Sequence, residues 1–250
     1  MGLDAFVPCR CWELGRCQGP PFPPDYLEMQ EGKWELKAEY DNDRHWVQLL
    51  AWQKKACAHP EFEVAHEHLS NWSGYRAFQE SIDPQKFPIL GKQLPHSNGG
   101  SLGVDHLAAC LEELDRYLAQ DQLGWIDELL DGADDAVLFE HIAAYDGVFY
   151  RDGSTGYMVG VDPQGFFLQE MDGPILFRSR RATWKDGTFT DLESGQSWSG
   201  PIILPRGAQP VANFYVRRRV RRVEDFQFIT QPLRRLLKAA IQTGSPIYWC

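Results

Sequence analysis

Two short pairs carry the clearest chemical signal in this chain: Cys9-Arg10-Cys11 near the start, and Cys57-Ala58-His59 further on. Thiolate and imidazole are the ligands zinc prefers, and two closely spaced pairs complete a tetrahedral shell of the structural type. Four protein ligands leave no position for a substrate. Such an ion would staple the N-terminal arm to the region that follows. On a straight strand alternate side chains point to opposite faces, so Cys9 and Cys11 reach one ion only if the segment bends. Cys17 stands close enough in sequence to replace one ligand. The ordinary alternative is that these cysteines are small buried hydrophobes.

His66-Glu67-His68, three residues after Glu63, imitates a hydrolytic metal site. Read as helix, positions i and i+2 do not share a face, and the His-Glu-x-x-His spacing is absent. Surface histidines flanked by carboxylates are the ordinary reading. The chain also lacks a Gly-x-Ser-x-Gly elbow, a phosphate-binding Gly-x-x-x-x-Gly-Lys-Ser/Thr loop and a Gly-x-Gly-x-x-Gly turn. Cys57 with His141 is a conceivable nucleophile and base, no better supported than other pairs. A binding protein is therefore favoured over an enzyme. The alternative is a metal-dependent or thiol enzyme of unknown substrate using Cys57, His59, His66, His68 and His141.

The formal charge of −10 is unevenly spread: residues 171–250 carry +7 and residues 1–170 carry −17. Between 112 and 140 ten acidic residues face only Arg116. An anionic surface of that kind repels nucleic acid and steers basic partners toward it. Candidate partner-binding residues are Glu112, Glu113, Asp115, Asp127, Glu128, Asp131, Asp134 and Asp135. The ordinary reading is a solvated face that keeps the protein soluble. One basic cluster, Arg217, Arg218, Arg219, Arg221 and Arg222, suggests a nucleic-acid module. Strand-like context would send alternate arginines to opposite faces and divide that track.

These residues need elements to position them. Hydrophobic residues make up 43% of 250 residues, with 13% aromatic, which is enough to build a core. The spacing predicts helices from Asp43 through Gln53, on through Phe62, Ala65 and Leu69, and from an Asp105 N-cap through Leu118. Prolines 84, 88 and 95 mark a long irregular connection. Recurring Asp-Gly and related turns then predict an antiparallel meander with strands at 137–143, 147–150, 157–161, 166–170, 175–181, 188–191 and 212–220. Leu233, Leu236, Leu237, Ala240 and Ile241 predict a closing amphipathic helix. The expected fold class is α+β: a helical N-terminal half, a β-meander and a C-terminal helix. The expected division is 1–135, mainly helical with an extended arm, and 136–250, sheet with the closing helix, packed as one unit. With no basic leader and no apolar run of spanning length, the expected location is the cytoplasm, where six cysteines stay reduced.

The opening MGLDAFVPCRCWELG, the middle piece Cys57-Ala58-His59 with Ser70-Asn71-Trp72-Ser73-Gly74-Tyr75, and the ending Gly244-Ser245-Pro246-Ile247-Tyr248-Trp249-Cys250 resemble an uncharacterised family of bacterial cytoplasmic proteins. In type and charge the chain is also similar to the immunity proteins of polymorphic-toxin systems. That resemblance implies a non-enzymatic protein that neutralises a toxin domain, a basic protein partner, through an acidic surface. No cofactor is expected beyond the structural zinc that the cysteines suggest.

Overall fold

The computed structural model describes residues 2–200 and 213–250. They form two compact units: residues 2–120 together with 223–250, and residues 121–200 together with 213–222. Strand β1 (Gly2–Pro8) opens the first unit. A small hairpin, β2 (Leu27–Gln30) and β3 (Lys33–Leu36), precedes helix α1 (Asp43–Gln53), whose first turn is capped by Asn42 accepting from the His45 N–H. Strand β4 (Glu63–Asn71) pairs antiparallel with β1 from Gly2↔Asn71 to Pro8↔Glu63. Helices α2 (Trp72–Ser81), α3 (Pro88–Gln93) and α4 (Leu107–Leu118) follow, with strand β5 (Ser101–Leu102) between the last two.

The second unit begins with β6 (Trp125–Asp131) and β7 (Val137–Glu140). It continues through β8 (Val148–Asp152), β9 (Tyr157–Asp162), β10 (Gly165–Glu170), β11 (Ile175–Ser179), β12 (Arg181–Lys185), β13 (Thr188–Asp191), β14 (Ser197–Ser199) and β15 (Asn213–Val220). Position 212, the expected start of the last strand, lies outside the described residues. One sheet has the order β11-β10-β9-β8, the other β14-β13-β12-β15-β6-β7. Leu129, Ala182, Phe189, Phe214 and Val216 from the second sheet join Val159, Val161, Phe166, Leu168 and Phe177 from the first in one buried cluster. Two sheets sharing one apolar layer make a sandwich, so the expected meander is divided into two faces.

Chemistry at the hairpin ends explains the registers. Asp186 (φ 49°) and Gly187 (φ 78°) form the two-residue turn between β12 and β13, in the left-handed conformation that such turns require. Asp131, Asp152 and Asp191 each end a strand and accept, through the backbone carbonyl, the N–H four residues on. In each case that fourth residue, Asp135, Gly156 or Gly195, has positive φ. One loop design thus serves three hairpins, each opened by an Asp whose side chain also accepts the N–H two residues on.

The chain then returns to the first unit with α5 (Gln227–Thr243) and β16 (Ile247–Trp249). Ile229, Leu233, Leu236, Leu237 and Ala240 line one buried face of α5, which packs on β4, β1 and α4. Gly244 ends it in the left-handed conformation, φ 65°. Strand β16 completes a sheet of order β4-β1-β16-β5.

The α+β expectation with a helical N-terminal half is overturned. Among the described residues sixteen strands in four antiparallel sheets outweigh five α-helices, and five of those strands lie before residue 120. The decisive segment is 62–69, expected to be helical from Phe62, Ala65 and Leu69. Glu61 (φ 57°) and Phe62 (φ 60°) break any helix, and β1 offers a ladder from the far end of the sequence. Two register shifts along that ladder let apolar residues at helical spacing serve a strand. Asp105 sits inside a short 3-10 turn and caps nothing with its side chain, and the stretch expected to be irregular contains α3. Among the described residues no helix is long and apolar enough to cross a membrane.

Candidate metal centre

The β1–β4 ladder ends at Pro8↔Glu63, and there the two ligand pairs meet. Cys9 leaves the strand with its N–H bonded to the Phe62 carbonyl at 2.6 Å. The chain then turns: Leu14 N–H donates to Arg10 O, Arg16 N–H to Cys11 O, and Gly15 takes φ 63°. This is the bend that Cys9 and Cys11 need to face one point. On the other side α1 ends at Gln53, Ala56 N–H closes back on Trp52 O, and Gln18 N–H ties the two segments together through Ala56 O. The left-handed pair Glu61-Phe62 then reverses the chain from His59 into β4.

The ligand atoms of Cys9, Cys11, Cys57 and His59 all lie within 4.8 Å of one another. Cys9 Sγ stands 3.8 Å from Cys57 Sγ, Cys11 Sγ 3.5 Å from His59 Nδ1, and Cys57 Sγ 4.0 Å from His59 Nδ1. A tetrahedron with Zn–S near 2.3 Å and Zn–N near 2.05 Å has edges of about 3.8 Å (S···S) and about 3.5 Å (S···N). The four donors therefore have the dimensions of a single-ion site. The His59 backbone N–H donates to Cys57 Sγ at 3.4 Å, and the Cys11 backbone does the same for Cys9. Amide donors of this kind favour thiolate, the ligating form. Without a cation, burial pushes the Cys9 thiol up to about 12, so an incoming ion must displace its proton. Cys17, half-buried beside the cluster, is also pushed up, chiefly by burial and further by Cys57 and Cys11.

Below the site lies a small core of Cys9, Phe22, Leu27, Leu36, Leu49, Trp52, Ala56 and Phe62. Residues 12–56 form an excursion between β1 and β4, and the four candidate ligands stand at both of its feet.

The other sequence candidates are dispersed. His66 and His68 lie on a strand and share a face, contrary to the helical reading. Each is 2.7 Å from a carboxylate oxygen, His66 from Glu63 and His68 from Asp4. His141 belongs to the second unit and Cys57 to the first.

Of the eight acidic candidates, Glu113 is buried and caps the start of α3, accepting from Ile89 and Leu90 N–H at 3.0 and 2.7 Å. Glu128 is fully buried, held by Arg217 at 2.9 Å and Arg219 at 2.7 Å. Asp127 is buried on the opposite side of β6, with one carboxylate oxygen unpartnered among the described residues. Asp115 is bridged by Arg234 at 2.8 Å. Asp131 and Asp134 accept loop N–H groups of Ala133 and Ala136, and Asp135 accepts from the Tyr215 hydroxyl at 2.7 Å. Glu112 is exposed on α4.

The basic cluster is used in the same ladder. Arg217 and Arg219 hold Glu128, Arg221 reaches Glu140 at 3.4 Å, and Arg218 lies over the Trp125 ring at 5.6 Å. Sequence reasoning missed β6 because its acidic residues read as a solvated helix. The available signal was complementarity: Asp127 and Glu128 stand opposite Arg218 and Arg217 in the ladder.

Comparison with known proteins finds no matching family model, no similar curated protein and no similar solved structure.

Proposed function

We propose that Cys9, Cys11, Cys57 and His59 hold one zinc ion, and that the chain is a non-enzymatic binding protein whose 12–56 excursion is clasped by that ion. The observation that carries this reading is the four-donor cluster within 4.8 Å, with edges matching a tetrahedral zinc shell. Four protein ligands close the shell, so the ion is structural and supplies no Lewis-acid chemistry to a substrate. Reduced thiols are needed, which fits a cytoplasmic setting. The excursion presents apolar side chains outward, Trp46, Val47 and Leu50 on α1 among them, as a binding surface would. Elemental analysis of protein purified without added metal tests the assignment. Zinc at one ion per chain, lost on Cys57→Ser substitution, is the expected result; metal-free protein with unchanged folding would refute it.

Immunity-type capture of a basic toxin domain is a second, narrower proposal. Its support is confined to carboxylates that remain outward, Asp134 and Asp135 on the β6–β7 turn of the second unit and, separately, Glu112 and Asp115 on α4 of the first. Glu113, Asp127 and Glu128 are withdrawn from it by burial. Reversing the charge of Asp134 and Asp135 should slow capture of a cognate basic partner in a salt-dependent way. Unchanged association kinetics would end this reading.

A further inference from the structure

We infer that the clasp is redox-labile, with Cys9 and Cys57 as a dithiol pair that exchanges the metal for a disulfide when met by a hydroperoxide. The inference rests on the metal-site reading and concerns how that site is regulated. Three observations support it. The Cys9 and Cys57 sulfurs are already 3.8 Å apart, a separation that a modest approach converts to a bond. The two residues come from opposite feet of the excursion, so the bond would link the same segments that the ion links. They also differ in access: Cys9 is 3% exposed, whereas Cys57 is half-buried and reachable by a small oxidant. A Cys9–Cys11 bond, by contrast, would close a ring over a single intervening residue.

The step balances as follows. The Cys57 thiolate attacks one peroxide oxygen, the O–O bond breaks and hydroxide leaves, giving a sulfenic acid. The Cys9 thiolate then attacks that sulfur, the S–S bond forms, the S–O bond breaks and a second hydroxide leaves. Two protons from solvent convert the hydroxides to water. Two electrons pass from the sulfurs to the peroxide, and Zn²⁺ departs with its charge unchanged because Cys11 and His59 alone no longer close a shell. The excursion stays tethered while its coordination is lost, so oxidation replaces one clasp by another.

The test uses the intact chain, with its zinc content measured first. Hydrogen peroxide is added, zinc release is followed with a chromogenic chelator, and disulfides are mapped by peptide mass spectrometry without reduction. Release of one zinc per chain together with a Cys9–Cys57 peptide, both reversed by a dithiol reductant and added zinc, is the expected result. Protein without zinc at the outset would remove the metal reading itself. Zinc present but retained through oxidation would overturn the redox inference alone. Release with bonding of Cys57 to Cys17 instead would also overturn it, and Cys17→Ser, which keeps all four ligands, checks that directly: its zinc release and Cys9–Cys57 bond should match those of the unsubstituted chain.

Discussion

The 12–56 excursion and the two-sheet unit meet the same requirement, ordering a polar backbone around limited apolar surface, by different means. The sandwich packs Phe166, Phe177, Phe189 and Phe214 mostly edge to face at centroid distances of 4.8 to 6.4 Å and flanks them with Trp184 and Trp198. Aromatic pairs of this kind add to the area they bury. The excursion contributes six buried residues, Phe22, Leu27, Leu36, Leu49, Trp52 and Ala56, around a two-stranded hairpin and one helix, and they pack with Cys9 and Phe62 at its feet. A core that small usually needs a disulfide or a metal. Its cysteines and histidine are gathered where a staple would act, at the point where the chain leaves and rejoins the β1–β4 ladder.

The sharpest way to break this comparison is to remove the staple. Chelation, or Cys57→Ser, is expected to abolish hydrogen-exchange protection across α1 and the β2–β3 hairpin while β9 and β10 keep theirs. Structural zinc contributes roughly 10 kcal/mol of apparent binding free energy in small metal-folded modules, so the effect should be the largest. Equal loss in both regions would remove the distinction.

Next in size are two tests within the sandwich. Phe166→Ala should cost about 3–5 kcal/mol in denaturant unfolding without changing metal content. Glu128→Ala leaves Arg217 and Arg219, both part-exposed, without their shared carboxylate and is expected to cost about 1.5–3 kcal/mol. If either variant lost zinc, the excursion and the sandwich would not be independent in stability.

A smaller effect carries a pH signature. Asp191 accepts from the Ser179 and Ser194 hydroxyls and from the Ser194 and Glu193 N–H groups, which lowers its pKa from 3.8 to about 2. A depressed carboxylate stabilises the fold fully above 3.8, and that contribution drains away as pH falls through about 2. Asp191→Asn should therefore cost about 1–3 kcal/mol at neutral pH, with a gap from the parent that narrows between pH 4 and pH 2. A constant gap in unfolding experiments across that range would show that the hydrogen bonds do not favour the charged form. Smallest of all, Asp115→Asn breaks an exposed pair with Arg234 and should change stability by less than about 1 kcal/mol.

What was legible in the sequence was local. The two ligand pairs sit within three residues each, so their chemistry could be read without knowing the fold, and the required bend at Cys9–Cys11 followed from strand geometry. The closing amphipathic face and the hairpin turns of the second unit are equally short-range. The misreadings involve partners that are far apart in sequence. Phe62, Ala65 and Leu69 suited a helix until β1 supplied a ladder. His66 and His68 were set on different faces by that helix and share one on the strand. The acidic run at 127–131 looked solvated because Arg217 and Arg219, its partners, lie some ninety residues on.

By itself, then, the sequence determined which side chains can ligate a soft cation and where the chain must turn, since both depend on residue type and spacing of a few positions. Only the tertiary structure decided that the two ligand pairs share one point, that three of the eight acidic candidates are buried, and that Arg217 and Arg219 are spent on Glu128 of a neighbouring strand. Pairing across the sheets is settled by which distant strand closes each ladder, and burial then decides whether a charge faces solvent or a partner.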